Sequence, residues 1–185
     1  MFRHSISSRK LAAHIARGGL IAYPTESCYG LGCDPRNRRA VRRLLRLKGR
    51  PQHKGLILIA SRFKQLESYL QPLTPRQQEE LRSGGAQAVT FLMPARPNCP
   101  RWLRGSYDTL AVRITAHPGA AELCNALHMA LVSTSANHSG DKPVRTYAEC
   151  LRRFGGRALV LPGRVGKRRR PSTIRDWTSG KIVRN

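Results

Sequence analysis

The chain has 185 residues, a formal net charge of +24 and a hydrophobic content of 40%, which suits one globular domain, residues 1–185, with a full core. No apolar run is long enough to cross a bilayer and the five cysteines form no CxxC pair, so we expect no membrane contact, no bound metal site and a reduced, cytoplasmic protein. The excess of cations predicts anionic partners, and the ten acidic residues form no cluster of the kind that two-metal nucleases need.

The N-terminal part of the chain predicts a helix, a strand and a polar loop. The helix is expected to begin at Ser8, which can cap it, and to end at Gly18–Gly19. The apolar run Leu20–Tyr23 then predicts a strand that stops at proline. Hydroxyls, an acid and glycines follow at once in the segment Thr25–Gly32. Open α/β sheets bind ligands at such strand ends, although a strand and a glycine turn that serve topology alone explain the pattern equally well.

The next helix is basic and leads into a cationic loop. Asn37 can cap a helix whose apolar stripe is Val41, Leu44 and Leu45, with arginines over its other faces. The helix ends where glycine and proline follow, in the loop Lys48–Gly55. That loop is either a solvated helix end or a phosphate clamp, because several lysine and arginine donors converge on it.

The centre of the chain alternates between short apolar runs, which predict buried strands, and segments with helical spacing or capping residues. The predicted strands are Leu56–Ala60, Ala88–Met93 and Thr109–Ile114. Helices are predicted at Phe63–Leu70, from Pro75 to about Ser83, and after His117–Pro118, with an irregular loop at Asn98–Tyr107.

Two of the predicted strands carry polar groups into buried surroundings. Arg113 lies inside the apolar strand Thr109–Ile114, and a buried arginine is costly unless it is paired, so it either points to solvent or meets an anion. A further strand, Ala130–Val132, runs directly into Ser133–Asn137, which offers hydroxyls, an amide and accessible backbone. This segment is either a second edge of a site or a serine/threonine turn that caps the strand.

The C-terminal part predicts one more helix and several short strands. The helix is marked by Tyr147, Leu151 and Phe154, and a flexible basic loop, Gly163–Arg170, follows later. Short strands are predicted at Ala158–Leu161, Ser172–Arg175 and Ile182–Val183. Because some of these strands follow each other without a helix, the fold class is α/β, a single domain with a mixed sheet of about eight strands and five or six flanking helices.

Five segments, in order and distributed over nearly the whole chain, resemble the YrdC/TsaC family, the threonylcarbamoyl-AMP synthases of tRNA modification. They are Gly18–Pro35, Ala40–Ile59, Leu110–Pro118, Leu131–Gly140 and Pro171–Arg184. The resemblance implies a twisted, YrdC-like sheet with a positively charged concave face. The chain is similar to the short, single-domain members of the family rather than to the longer ones.

The resemblance also implies a reaction. L-threonine, bicarbonate or CO2, and ATP would give threonylcarbamoyl-adenylate and pyrophosphate, and the product would pass to a separate transferase complex that modifies an adenosine of tRNA. Mg²⁺ would accompany ATP through its phosphates. No protein nucleophile is needed, so catalysis would consist of positioning the substrates and neutralising phosphate charge.

The family motifs imply the site residues one by one. The catalytic and ATP-binding residues of its K-x-R and S-x-N motifs would be Lys48, Arg50, Ser135 and Asn137. Further ATP contacts would come from Lys54, Thr90 and Ser133. Threonine would be bound by Thr25, Ser27 and Arg113, whose guanidinium would pair with the threonine carboxylate.

The chain departs from the family pattern in three places. Ser27 stands where many relatives have threonine or alanine, and Lys54 and Ile59 replace an asparagine and a histidine that lie near the substrates. The loop Gly163–Arg170 is more basic than the resemblance leads us to expect, and it would touch the triphosphate, RNA or neither.

The net charge supports a second hypothesis, a non-catalytic RNA-binding module that acts in tRNA or ribosome maturation, with affinity for tRNA or double-stranded RNA. Such binding would weaken steeply with salt. The ordered motifs, which basicity does not explain, favour the enzyme.

Overall fold

The computed structural model describes residues 7–184. Within that range the α-helices are α1 (Ser8–Ala16), α2 (Arg38–Lys48), α3 (Pro75–Ala86), α4 (Arg101–Arg104), α5 (Pro118–Ala126) and α6 (Tyr147–Phe154). The strands are β1 (Ile21–Pro24), β2 (Tyr29–Cys33), β3 (Ile57–Ala60), β4 (Val89–Pro94), β5 (Thr109–Ile114), β6 (Leu131–Ser135), β7 (Leu159–Val160), β8 (Thr173–Asp176) and β9 (Ile182–Arg184). Two 3₁₀ turns lie at Gln52–Lys54 and Phe63–Gln65.

All of these strands join one sheet in the order β7-β1-β2-β6-β3-β5-β4-β8-β9. The pairs β1–β7, β3–β5 and β4–β8 are parallel, and the other neighbours are antiparallel. The predicted mixed α/β sheet with flanking helices is therefore confirmed. The strand β2 was not predicted; it pairs with β1 in the segment that the sequence suggested was a glycine turn.

One face of the sheet is covered by α2, α3 and α6. Their buried residues, such as Leu44, Leu81 and Phe154, belong to the larger of two hydrophobic clusters. This cluster is the main core, and it fixes the position of α2 and therefore of the cationic segment at its C-terminal end.

The opposite face is only partly covered. The smaller cluster, beneath α1 and α5, includes residues of β1, β3 and β6 but, in the described part of the chain, none of β4, β5, β8 or β9. Successive side chains of a strand alternate between faces, and Arg113 is the register partner of Ile59, a member of this cluster. Ser133, the register partner of Ile57, lies on the same face. Polar side chains therefore gather where the apolar cluster ends.

The helix α2 forms as the sequence predicts. The Asn37 side chain accepts a hydrogen bond from the Ala40 amide at 3.0 Å and caps the helix. Gly49 ends it in the left-handed conformation, with φ 63° and ψ 35°. Lys48 is thus the last helical residue, where the macrodipole favours a cation.

The helix α3 is longer than predicted. It was expected to end near Ser83, but it continues through Gly84 and Gly85 to Ala86. A Cβ atom at Gly85 would overlap the carbonyl oxygen of Ile114, and one at Gly84 would overlap the ring of Phe91. The two glycines therefore allow the helix to approach the sheet closely instead of ending it.

Several smaller predictions are wrong. The helix predicted at Phe63–Leu70 is only a 3₁₀ turn followed by irregular chain, and the loop predicted at Asn98–Tyr107 contains α4. Ser7, not Ser8, caps α1. The strand β6 continues through Ser135, so its hydroxyl residues are part of the sheet rather than of a turn after it. Among the described helices, none combines the length and apolar character that crossing a membrane requires.

Candidate active site

Lys48 joins the end of α2 to the end of β6. Its ammonium group donates to the carbonyl oxygen of Ser135 at 2.7 Å and to Oδ1 of Asn137 at 2.8 Å, and it lies 3.2 Å from Oγ of Ser135 and from the carbonyl oxygen of Asn137. Oγ of Ser135 donates to Oδ1 of Asn137 at 2.6 Å. Only 4% of Lys48 is exposed, and a buried ammonium group needs such acceptors. The two predicted motifs therefore form one hydrogen-bonded cluster.

Arg50 lies beside this cluster. Burial, with the charge of Arg50 as a second cause, lowers the pKa of Lys48 to about 8. Burial also lowers the pKa of the Arg50 guanidinium. Nε of Arg50 donates to the carbonyl oxygen of Gly55 at 3.0 Å, and Nη2 donates to that of Lys54 at 3.2 Å. The turn that contains Lys54 therefore fixes Arg50 next to the Lys48 cluster, while the Lys54 side chain is exposed.

Arg113 meets an anion supplied by the chain itself. Only 8% of this residue is exposed, and its Nη2 lies 3.3 Å from Oε2 of Glu26. The other oxygen of Glu26 accepts a hydrogen bond from Oγ1 of Thr115 at 2.7 Å. Burial acts to raise the pKa of Glu26, but the Arg113 charge and the Thr115 hydrogen bond outweigh it and hold that pKa below its usual value. The sequence left open whether Arg113 points to solvent or meets an anion, and the structure excludes the first alternative.

The loop between β1 and β2 is closed by Thr25. Its amide and its hydroxyl both donate to the carbonyl oxygen of Cys28, at 2.9 and 2.7 Å. Oγ of Ser27, a predicted threonine ligand, is 3.8 Å from the sulfur of Cys28. The hydroxyl of Thr25 is therefore engaged within the loop, whereas Ser27 remains partly exposed next to Glu26.

The basic loop Gly163–Arg170 packs on this β1–β2 loop. The amide of Gly166 donates to the carbonyl oxygen of Thr25 at 2.9 Å, and the amide of Arg168 donates to that of Glu26 at 3.2 Å. A Cβ atom at Gly166 would lie 2.6 Å from the Glu26 carbonyl oxygen, so glycine is required for this approach. The sequence did not indicate a position for the basic loop; the structure places it against the predicted threonine ligands.

Arg184 in β9 is a cation that the sequence analysis did not select. Its Nη2 donates to the carbonyl oxygen of Ser172 at 2.9 Å. Oγ1 of Thr90 donates a hydrogen bond to Oγ of Ser172 at 2.9 Å. Burial, followed by the charges of Arg113 and Arg50, lowers the pKa of Arg184. Arg184 therefore lies within electrostatic reach of both other arginines. Thr90 is completely buried and reaches this region only through Ser172.

The charges of Arg113 and Arg50 both act on Arg184, so these three guanidinium groups lie near one another, and we call the region that they define the arginine cleft. Glu26 neutralises one of the three charges. An excess of cations on partly buried groups attracts anions, and guanidinium groups bind phosphate and carboxylate through paired hydrogen bonds. The cleft therefore suits a ligand with several anionic groups.

Ser133 lies at the inner end of this region. It is buried in β6, opposite Gly32 of β2. Its Oγ is 3.4 Å from the position that a Cβ atom at Gly30 would occupy. The glycines of β2 thus leave room for hydroxyl groups on the neighbouring strand.

Two residues of the candidate site were not selected from the sequence. Glu26 could have been found, because an arginine in an apolar strand needs an acid and Glu26 is the one acid in the polar loop after β1. Arg184 gave no comparable signal, because its position depends on the pairing of β8 with both β4 and β9.

A resident metal ion finds few ligands in this region. The described residues contain no group of three or more His, Cys, Asp and Glu side chains that could hold a metal ion, and their five cysteines are buried and unpaired.

Comparison with known families and curated sequences gives a consistent result. The Sua5/YciO/YrdC family model, described as telomere recombination, matches residues 13–185. A threonylcarbamoyl-AMP synthase of Methylobacillus flagellatus is 55% identical over 177 residues, which are 96% of this chain and 98% of the relative. The threonylcarbamoyl-AMP synthase of Thiobacillus denitrificans is 54% identical over 174 residues, 94% of this chain and 93% of the relative.

Solved structures share the fold. The P. abyssi Sua5 structure in complex with L-threonine has a TM-score of 0.82 and 30% identity, and the match covers 97% of this chain and 54% of that one. This chain therefore spans about half the length of that Sua5. E. coli YciO has a TM-score of 0.79 with 98% of this chain and 91% of that chain covered, but at 23% identity it shows the fold alone.

Proposed function

The chain belongs to the Sua5/YciO/YrdC family, and we propose from this that it is a threonylcarbamoyl-AMP synthase. It would convert L-threonine, bicarbonate or CO2, and ATP to threonylcarbamoyl-adenylate and pyrophosphate. The proposal is supported by relatives of that name, 54 and 55% identical over more than nine-tenths of the chain.

The observation that carries the proposal is the arginine cleft next to the Lys48 cluster. ATP, the carbamate and the threonine carboxylate are all anionic, and their reaction places further charge on the α-phosphate as pyrophosphate leaves. A fixed set of cations and hydrogen-bond donors stabilises such charge without reorganisation. Arg50, Arg113 and Arg184 supply the cations, and Ser135 and Asn137 supply oriented polar groups.

In this proposal the triphosphate lies along the side of the cleft formed by Arg50 and Arg184. Lys48 holds Ser135 and Asn137 in place for the α-phosphate and the carbamate and adds positive charge beside them. Lys54 contributes an exposed cation at the entrance. Two further residues would act from within the sheet: Thr90 supports Arg184 through Ser172, and Ser133 supports the inner end of the site.

Threonine would occupy the side of the cleft next to the β1–β2 loop. Arg113 would bind its carboxylate, and Ser27 would contact its polar groups, while Thr25 keeps the loop closed. Reacting groups that are held in this way gain rate from proximity, because the entropy of bringing them together is lost on binding.

Mg²⁺ would enter with ATP, bound to its phosphates rather than by a set of protein carboxylates. The donor set fits this role, since Glu26 is engaged by Arg113 and Thr115. When bound, the ion would neutralise part of the triphosphate charge.

The experiment that tests the proposal measures threonine-dependent pyrophosphate release with Mg²⁺-ATP and bicarbonate. We expect release by the wild type and its loss in Lys48→Ala with Arg50→Ala. The matched control is Arg82→Ala in α3, where the exposed arginine pairs with Glu79. This variant should leave the rate unchanged. Absence of release in the wild type would contradict the enzyme, and unchanged release in the double variant would contradict the placement of the site.

We also propose that the product passes to a separate transferase complex that modifies tRNA in the cytoplasm, and that the chain has affinity for tRNA or double-stranded RNA. The observation that favours RNA affinity is the outer face of α2, where five arginines are exposed: Arg38, Arg39, Arg42, Arg43 and Arg46. Arginines in such a row can follow a phosphate backbone. RNA affinity without pyrophosphate release would favour the non-catalytic alternative.

A further inference from the structure

The side of the cleft next to the β1–β2 loop contains buried polar atoms that make no hydrogen bond of good geometry. Among the described residues, three buried side-chain atoms make no hydrogen bond: the Tyr23 hydroxyl, Oε2 of Glu26 and Nε of Arg113. Glu26 and Arg113 form an ion pair at 3.3 Å, and the Tyr23 hydroxyl lies near the Ser133 side chain and within reach of the Arg113 charge. Buried polar atoms are normally paired, so a cluster of unpaired ones indicates that a polar ligand completes the site.

The arrangement of Glu26 is that of a receptor for a cation. Thr115 holds one carboxylate oxygen at 2.7 Å and so fixes the orientation of the group, while the other oxygen forms the ion pair with Nη2 of Arg113 at 3.3 Å without a hydrogen bond. The Arg113 charge and the Thr115 hydrogen bond keep the pKa of Glu26 low, so the carboxylate is anionic at neutral pH. The side chain is 14% exposed.

An anionic and a cationic side chain side by side match the two charged groups of an α-amino acid. Its carboxylate and ammonium groups are attached to the same carbon, so both can be bound only by opposite charges that are also adjacent. If Arg113 bound a carboxylate without a cation next to it, that carboxylate would be repelled by Glu26. The pair therefore favours a zwitterion over a simple carboxylate.

We infer that Glu26 is a specificity-determining residue that binds the ammonium group of L-threonine while Arg113 binds its carboxylate. The inference rests on the proposed function and adds to it the group that recognises the amine. Glu26 then discriminates against hydroxy acids and other carboxylates of similar size, which Arg113 alone would accept.

The test compares two ligands that differ only in the amine. Dissociation constants for L-threonine and for (R)-3-hydroxybutyrate, which lacks the amino group, are measured by calorimetry for the wild type, Glu26→Gln, Glu26→Asp and the control Glu149→Gln. Glu149 is an acid on α6 with no hydrogen bond to the cleft residues. We expect the wild type and the control to prefer threonine by at least about tenfold, as a charged hydrogen bond provides. Glu26→Gln should lose most of this preference by binding threonine more weakly and hydroxybutyrate no worse, and Glu26→Asp should keep part of it.

Other results of this experiment would contradict either the inference or the proposed function. An equal loss of affinity for both ligands in Glu26→Gln would overturn the inference, because it would show that Glu26 only orients Arg113. An unchanged preference would overturn it as well. Failure of the wild type to bind threonine or to release pyrophosphate would instead contradict the proposed function. Thermal unfolding of each variant shows whether a loss of binding reflects a loss of folding.

Discussion

Lys48 and Asn137 are separated by 89 positions in the chain, yet they are joined by a hydrogen bond of 2.8 Å. The bond links the last turn of α2 to the segment that follows β6. The two short motifs that bear these residues therefore depend on each other for their geometry. A substitution in either motif should disturb both, and effects of combined substitutions should not add.

The pH dependence of the reaction should reflect Lys48. Its pKa of about 8 means that it loses its proton above that pH, and a neutral amine has too few hydrogens for the surrounding oxygens. Pyrophosphate release should therefore decline above about pH 8. In Lys48→Arg, whose guanidinium does not titrate in this range, the decline should shift to higher pH at a lower overall rate.

Stability should not follow the same course. The folded protein releases the Lys48 proton near pH 8, whereas the unfolded chain keeps it up to about 10.5, so the unfolded state binds more protons in between. The contribution of this group to the free energy of unfolding therefore rises with pH across that window. A denaturant titration at pH 8 and at pH 9.5 checks this. A fall in stability that parallels the loss of activity would contradict the assignment to Lys48.

Arg184→Ala should weaken the binding of ATP more than the binding of threonine. In the proposed function the guanidinium faces the triphosphate, and loss of a charge-assisted hydrogen bond costs about 1.5–3 kcal/mol, or at least tenfold in the KM for ATP. The control is Arg175→Ala in the adjacent strand, whose Nε donates to the carbonyl oxygen of Gly180 at 3.1 Å. Equal effects of the two variants on the KM for ATP would show that Arg184 does not bind ATP.

Gly85→Ala should destabilise the protein although it lies within a helix. Alanine is favoured over glycine in helices by about 1 kcal/mol. At this position, however, the new Cβ would overlap the Ile114 carbonyl oxygen, and overpacking costs about 1–3 kcal/mol. We expect a net loss in denaturant unfolding. Gly156→Ala, where a Cβ finds nothing within 4 Å, should be neutral, and a neutral Gly85→Ala would show that α3 can move away from the sheet.

Removal of two buried tyrosine hydroxyls should have different effects on stability. The Tyr29 hydroxyl donates to the carbonyl oxygen of Gly163 at 3.0 Å, so Tyr29→Phe should cost about 1 kcal/mol of the free energy of unfolding. The Tyr23 hydroxyl is buried near the Ser133 side chain but makes no hydrogen bond of good geometry, so Tyr23→Phe should cost less than Tyr29→Phe or be neutral. The two variants lose the same atom, and chemical denaturation compares them directly. Equal destabilisation would indicate that Tyr23 forms a full hydrogen bond with Ser133.

The exposed arginines of α2 should contribute to RNA affinity but not to the reaction. Binding to double-stranded RNA should fall linearly on a log–log plot against salt, and Arg39→Glu with Arg42→Glu should reduce the slope by about two. Pyrophosphate release should stay at the wild-type rate. The control, Arg152→Glu with Arg157→Glu, makes the same change in net charge elsewhere on the surface. If both pairs reduce affinity equally, the effect is one of net charge and not of α2.

Local signals in the sequence predicted the elements that depend on local causes. The Asn37 cap and the apolar stripe placed α2, and the strand Thr109–Ile114 was predicted with its observed bounds. The strand β2 was missed because its glycines resemble a turn; they are there because a Cβ at Gly32 would overlap the Val132 carbonyl oxygen of the neighbouring strand. Such a reason becomes visible only when the pairing of the strands is known.

The candidate site, like the fold, was predicted only in part. Lys48, Arg50, Ser135 and Asn137 were predicted from their motifs, and the structure brings them together. The pairing of Arg113 with Glu26 and the position of Arg184 depend on contacts between segments that are distant in sequence. Sequence patterns define which residues are unusual, but the fold decides which of them meet.

The charge of the arginine cleft has a practical consequence for work with the purified protein. With three guanidinium groups and one carboxylate, the cleft attracts small anions whenever its substrates are absent. Phosphate or sulfate in a buffer should compete with ATP, so the apparent KM should depend on the choice of buffer salt. Chloride or acetate at low ionic strength is therefore the better medium for measuring affinity, and sulfate should raise the melting temperature of the empty protein.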